Sequence, residues 1–194
     1  TALIGEMCRL SGMRAWVGGN IGTPLTERLL ERPWPDVAVM EFSSFQLEVF
    51  TPAYQGDAVE RQRSAASRVI SLDGWSPHVA LLTNITPNHL DRHADMAEYA
   101  AAKRSLMDFQ AADDWLVLNA DDAYTGGWAE KARGRLLRFS LQDEPEAGAF
   151  LRGGELTARW NGREMVICRA EEVRLRGRHN LANILGSVCA ALAA

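Results

Sequence analysis

The sequence predicts an α/β protein: a mainly parallel β-sheet with helices on both faces, plus a small antiparallel β appendage. Three observations lead there. Short apolar runs such as "DVAVMEF", "HVALLTNI" and "DWLVLN" alternate with segments of helical periodicity, the order that builds a parallel sheet. These runs are apolar throughout, as strands buried on both faces are. From residue 147 to 176 the texture changes to short alternating runs around Gly153-Gly154 and Asn161-Gly162, which are hairpin signals.

At the start of the chain, "TALIGEMCRLSG" has the spacing of an amphipathic helix, with Leu3, Met7 and Leu10 on its apolar face and Gly12 at its end. The chain opens inside this element, so the sequence is expected to be a piece of a longer protein. "RAWVGGNIG" reads as a short strand running into a glycine loop. In "TPLTERLLE", Thr23 is the expected N-cap and Pro24 the first helical residue, with Leu25, Leu29 and Leu30 buried. "DVAVMEF" is expected as a central strand ending in an acid, and "SSFQLEVF" as a helix. Residues 51 to 76 lose the pattern and read as a long, partly irregular connection. "HVALLTNI" is a buried strand, "DMAEYAAAKRSLMDF" a helix, and "DWLVLNADD" a strand ending in acids, before a short helix and "RLLRFS". "AFLRGG", "ELTARWNG" and "REMVICR" form the antiparallel appendage, and "RHNLANILGSVCAALAA" closes the chain as a helix. Residues 1–194 read as one domain, without internal repeats.

Composition bounds the function. A chain of 194 residues can bury one substantial core, and 47% hydrophobic with 24% charged residues is ordinary for a globular protein. A formal net charge of -4 gives no electrostatic case for nucleic acid or an anionic membrane. Cys8, Cys168 and Cys189 lie far apart without CxxC spacing, which suits free thiols in a reducing compartment. No apolar run is long enough to span a bilayer, and nothing at the start resembles a signal peptide. A cytoplasmic protein without membrane insertion or nucleic-acid partner is expected.

The chemistry should gather at the carboxyl ends of the strands, where open α/β sheets bind ligands. Asn20 follows the "RAWV" strand, Glu41 ends "DVAVMEF", and Asn84 to His93 follow "HVALLTNI". A carboxylate and an imidazole beside oxygen donors could hold a hard divalent ion such as Mg²⁺. Tetrahedral zinc is disfavoured, because no Cys or paired-His spacing supports it. "NHLDRH" also reads as a turn and helix cap, with Pro87-Asn88 starting the turn and Asp91 near a helix N-terminus. Ser43 and Gln46 form an S-x-x-Q capping box, whose place beside Glu41 raises a second role. In the helix "DMAEYAAAKRSLMDF", Met96, Ala100, Lys103 and Met107 fall on one stripe. A lysine there either snorkels to water or sits where its pKa is lowered. Asn180, Asn183 and Ser187 share a face of the last helix, suited to a base or sugar edge or to plain solvent. "GGNIG" could offer backbone N–H groups to a phosphate.

Taken in order, "GGNIG", "EFSSFQLE", "NITPNHLDRH", "AAAKRSL" and "GRHNLANI" resemble the central ATPase domain of the Mur ligase family, over nearly the whole chain. The resemblance implies an ADP-forming amide ligase in peptidoglycan precursor synthesis. A substrate carboxylate attacks the γ-phosphate of ATP, and an amine displaces phosphate from the acyl phosphate. "SSFQLE" is the most discriminating segment and resembles the branch that adds D-glutamate to UDP-N-acetylmuramoyl-L-alanine. At matching positions the resemblance implies Glu41 and His89 as Mg²⁺ ligands and Lys103 as a lysine carbamylated by CO2 that helps place a second Mg²⁺. Asn20, Ser43, Gln46 and Arg92 would hold the UDP-sugar-peptide, and Asn180 and Asn183 would read the adenine of ATP. A monomer is expected.

The sequence also departs from the family. The glycine-rich phosphate-binding loop ending in Gly-Lys-Thr/Ser is absent, and "TALIGEM" resembles the segment directly after that loop, so Thr1 is expected to be its tail. The flanking UDP-binding and amino-acid-binding domains are absent too, so residues 1–194 alone are expected to bind ATP poorly and to be inactive. The connection from Phe50 to Pro77 is longer than the family needs, Phe42 replaces a more usual Leu, and Asn88 an acid. Three other readings stay open. They are a sister ligase (folylpolyglutamate synthetase, or the diaminopimelate- or lysine-adding enzyme), a non-catalytic binder of a nucleotide sugar, and a metal hydrolase using His89, Asp91 and His93.

Overall fold

The computed structural model describes residues 1–22, 24–48, 75–87 and 93–194. Helix α1 (Ala2–Leu10) leads to β1 (Ala15–Gly19), a 3₁₀ turn (Leu25–Arg28), β2 (Val37–Glu41) and α2 (Ser44–Glu48). Then come β3 (Val79–Leu82), α3 (Met96–Asp108), β4 (Trp115–Asn119), α4 (Ala123–Gly126) and β5 (Arg135–Ser140). Strands β6 (Gly148–Arg152), β7 (Glu155–Trp160) and β8 (Arg163–Arg169) precede the closing helix α5 (Arg178–Ala193).

The strands form a two-stranded parallel sheet, β1-β2, and a six-stranded sheet in the order β3-β4-β5-β6-β7-β8. In the larger sheet β3 to β6 are parallel, and β6, β7 and β8 pair antiparallel. The hairpins expected for 147–176 therefore form, but they continue the main sheet: Gly148 to Phe150 pair in parallel with Arg138 to Ser140. Alternation along the strands sorts side chains to two faces. Leu116 and Leu118 of β4, with Ala80 and Leu82 of β3, pack with Tyr99, Ala100 and Met107 of α3. Val117, Leu137 and Phe139 face the other way, onto Leu185, Val188 and Cys189 of α5. The smaller sheet shares a third cluster, where Ile4 and Cys8 of α1 meet Ala15, Val39 and Ala190, with Val79 and Leu81 against them.

Three local expectations are corrected. Helix α1 forms, but its buried face is Ile4, Gly5 and Cys8, while Leu10 is 81% exposed. Gly5 is the reason: a Cβ there would lie 2.2 Å from a methyl of Val17, so α1 meets β1 along that side. The helix expected from "TPLTERLLE" is only the 3₁₀ turn. Pro24 is extended (ψ 127°), Leu25 alone is buried, and Leu29 and Leu30 face solvent. With no apolar face to cover, so short a segment cannot sustain a helix. Thr23, its expected cap, lies outside the described residues, as does most of the 51–76 connection. Strand β2, expected to be covered on both faces, buries only Val39, while Ala38 and Met40 are exposed. The free thiols expected at Cys8, Cys168 and Cys189 are present, the first and last buried.

Candidate active site

The sequence brings three chain segments to the carboxyl end of β2. Strand β1 leaves its ladder at Gly19, which pairs with Glu41, and the Asn20 N–H then donates to the Glu41 carbonyl at 2.7 Å. This approach explains the glycine loop. Gly19 has φ +110°, and a Cβ on it would lie 2.3 Å from that same carbonyl oxygen. The backbone of Asn20 is thereby fixed while the residue itself stays exposed.

The Glu41 carboxylate accepts a hydrogen bond from the Thr1 hydroxyl at 2.8 Å. Sequence reading placed Thr1 only as the tail of a loop, and nothing in a lone threonine announces a partner forty residues on. A carboxylate and a hydroxyl side by side offer hard oxygen donors. These fit Mg²⁺, which takes few protein ligands and keeps several waters. Among the described residues no group of three His, Cys, Asp or Glu could hold a metal ion. His89 and Arg92, the other expected ligand and a substrate contact, lie outside the described residues.

Lys103 reaches the same place from α3. That helix starts at Asp95, whose side chain accepts from Glu98 N at 2.9 Å, while the Glu98 carboxylate accepts from Ala94 N at 2.6 Å. Two turns later the half-buried Lys103 directs Nζ to the Phe42 carbonyl at 3.4 Å and lies 6.0 Å from the centre of the Tyr99 ring. Burial lowers its pKa, and the Glu41 carboxylate partly offsets that. Lys103 is thus half-buried on this stripe, with Nζ at a backbone carbonyl.

Ser43 and Gln46 do cap α2. Gln46 N donates to Ser43 Oγ at 3.2 Å, and Gln46 Oε1 accepts from Ser43 N at 2.9 Å. Next to them, buried His93 has Nε2 3.0 Å from Ser44 Oγ, and its ring lies against Phe45 (5.9 Å) and Tyr99 (5.3 Å). His93 is thus packed against α2 and α3, while His89 and Asp91, the other residues of the metal-hydrolase reading, lie outside the described residues. Asn180 and Asn183 sit in the first turns of α5, and their hydrogen bonds stay local. Asn180 Nδ2 donates to Arg176 O at 2.7 Å, and the Asn183 carbonyl accepts from Ser187 Oγ at 2.7 Å. The structure thus brings Asn20, Glu41, Ser43, Gln46 and Lys103 to one strand end, and does not join the two asparagines to them by a hydrogen bond.

Comparison with known proteins places the chain in a family. The profile of the Mur ligase middle domain matches residues 58–191. The chain belongs to the Mur ligase family. Among relatives, a UDP-N-acetylmuramoylalanine--D-glutamate ligase of Symbiobacterium thermophilum is 42% identical over 98% of this chain and 37% of its own length. A ligase of the same name from Clostridium botulinum is 40% identical over 97% of this chain and 35% of its own. The chain therefore spans little more than a third of these relatives. Solved Mur ligases share the fold at low identity. MurF from Acinetobacter baumannii superposes with a TM-score of 0.61 at 14% identity, over 98% of this chain and 39% of its own. MurF from Thermotoga maritima, solved in complex with ADP, gives 0.58 at 16% over 96% and 40%.

Proposed function

We propose that the chain is the central ATP-binding domain of a longer ligase. That ligase would join D-glutamate to UDP-N-acetylmuramoyl-L-alanine, with cleavage of ATP to ADP, as a cytoplasmic monomer. The observation that carries the chemistry is the meeting of Glu41, the Thr1 hydroxyl and half-buried Lys103 at one strand end. The choice of D-glutamate is supported by the two relatives of that name and by "SSFQLE".

In this reading Glu41 and His89 hold Mg²⁺, with Thr1 beside them. Bound there, the ion would supply neutralisation of phosphate charge. Burial lowers the pKa of Lys103, and the fraction present as neutral amine would be what adds CO2. The carbamic acid so formed would lose its proton, and the two oxygens of the carbamate could serve a second Mg²⁺. Asn20, Ser43, Gln46 and Arg92 orient the UDP-sugar-peptide so that its carboxylate meets the γ-phosphate and forms the acyl phosphate. The capping box makes Ser43 and Gln46 a preorganised pair rather than two loose side chains. Asn180 and Asn183 read the adenine from the start of α5. For the readings as a sister ligase the solved Mur ligases add only fold-level support, since those named above are 14 and 16% identical.

The test is phosphate release by the full-length protein with Mg-ATP and UDP-N-acetylmuramoyl-L-alanine. D-glutamate, L-lysine, meso-diaminopimelate and L-glutamate are supplied one at a time. Release only with D-glutamate is expected. Release with another amino acid overturns the substrate, and no release with any of them overturns the ligase reading.

A further inference from the structure

The second serine of "SSFQLE" has no role in the proposed chemistry, yet it is the one turned inward. Ser44 and Leu47 are each 1% exposed, whereas Ser43 is half-buried and Gln46 is open to solvent. Helix α2 is only five residues long, too short to hold its own shape in water. Its Ser43–Gln46 cap fixes the first turn internally but does not decide how that turn sits on the protein. The placement has to come from tertiary contacts.

Those contacts come from α3 and its lead-in. Lys103 Nζ donates to the Phe42 carbonyl at 3.4 Å, just ahead of α2. The Ser105 hydroxyl reaches the Leu47 carbonyl at 3.3 Å but is shared with the Ala102 carbonyl at 2.7 Å. Both ties go to the main chain, and both are long. Between them lies a tie between two buried side chains: His93, 2% exposed, has Nε2 3.0 Å from Ser44 Oγ. The same imidazole stacks on the Phe45 ring, with 18° between the planes, and its other face neighbour is Tyr99 of α3. The ring is thus wedged between the two helices. It grips Ser44 and Phe45 on the inner side of α2 and leaves Gln46 facing out.

We propose that His93 and Ser44 are positioning residues whose contact sets the rotation of α2 and so aims Ser43 and Gln46 at the nucleotide sugar. The inference rests on the reading of Ser43 and Gln46 as contacts to that substrate. A buried hydroxyl and imidazole need partners in any fold, so stability loss alone would not distinguish aiming from plain polar satisfaction. The Michaelis constants would. A contact that acts only through this pair weakens use of the nucleotide sugar and leaves ATP untouched.

The experiment uses the full-length protein with Mg-ATP, UDP-N-acetylmuramoyl-L-alanine and D-glutamate. KM for the nucleotide sugar and for ATP is read by phosphate release in His93→Phe, Ser44→Ala, the double variant and Gln46→Ala. Each is checked for folding by its thermal midpoint. His93→Phe keeps a ring against Phe45 and Tyr99 but loses the polar contact, and Ser44→Ala is the milder change, removing one hydroxyl. Val117→Ala, in the core between β4 and α5, is the control for lost stability. The expected result is a KM for the nucleotide sugar about 10-fold higher in both single variants, no further rise in the double variant, and unchanged KM for ATP. The positioning role is overturned by an unchanged KM in folded Ser44→Ala, by an equal rise for ATP, or by the same rise in Val117→Ala. Two single effects that multiply in the double variant also overturn it, since they do not act through one contact. An unchanged KM in Gln46→Ala overturns the substrate reading of the pair and the positioning with it. If the unsubstituted protein releases no phosphate, the ligase reading itself has failed.

Discussion

Strands β2 and β4 look alike in sequence and end up differently. "DVAVMEF" and "DWLVLN" are both apolar runs ending in a polar group, but β4 buries Leu116, Val117 and Leu118 completely, whereas β2 buries only Val39. The difference lies in what covers them. Strand β4 sits between β3 and β5, with α3 on one face and α5 on the other. Among the described residues strand β2 pairs on one side, with β1, and Met40 is 43% exposed. The larger sheet is the stability reserve, and the smaller one carries the glutamate on which the proposed chemistry depends.

The largest expected effect tests that division. Phe139→Ala, in the core between β5 and α5, should cost about 3–5 kcal/mol in urea unfolding, whereas Met40→Ala should stay within about 0.5 kcal/mol. Similar losses at both positions would break the contrast. Next is the close approach that builds the crevice. Gly19→Ala puts a Cβ against the Glu41 carbonyl at a backbone angle that disfavours side chains, and should cost about 1–3 kcal/mol and lower ligase activity. A fully stable, fully active Gly19→Ala would show that the junction is not tightly built.

The smallest effect is the pH dependence from Lys103. Burial depresses its folded-state pKa below the ordinary lysine value. The folded state therefore carries the cost of a buried cation below that depressed pKa, and the cost is relieved as pH rises from there toward the unfolded value. Lys103→Met should raise the thermal midpoint at neutral pH, with the gain shrinking as pH approaches about 10.4. A gain that does not change with pH would contradict the burial of a cation.

Most of the larger sheet was legible in the sequence, because buried strands and the stripes of α3 and α5 are local patterns. What the pattern could not report was what lies opposite. The leucines after Pro24 read as a helix face, but only Leu25 is buried while Leu29 and Leu30 face solvent, and the buried face of α1 turned on the contact of Gly5 with Val17. In the crevice, residue types at strand ends pointed to Asn20 and Glu41, and the stripe of α3 pointed to Lys103. The Thr1–Glu41 and His93–Ser44 pairs depend on contacts between distant segments, which no local spacing encodes. Ser43 and Gln46 gave a true signal with two meanings: the cap is formed, and substrate contact is proposed for the same residues.

The most direct test of the central claim is the activity of Lys103→Ala in the full-length protein, measured with and without short-chain carboxylates. If Lys103 acts at the Glu41 crevice as a carbamate, activity should collapse and partly return when an added carboxylate supplies the missing oxygens. Activity equal to that of the unsubstituted protein would contradict the account, and collapse without any rescue would remove the carbamate.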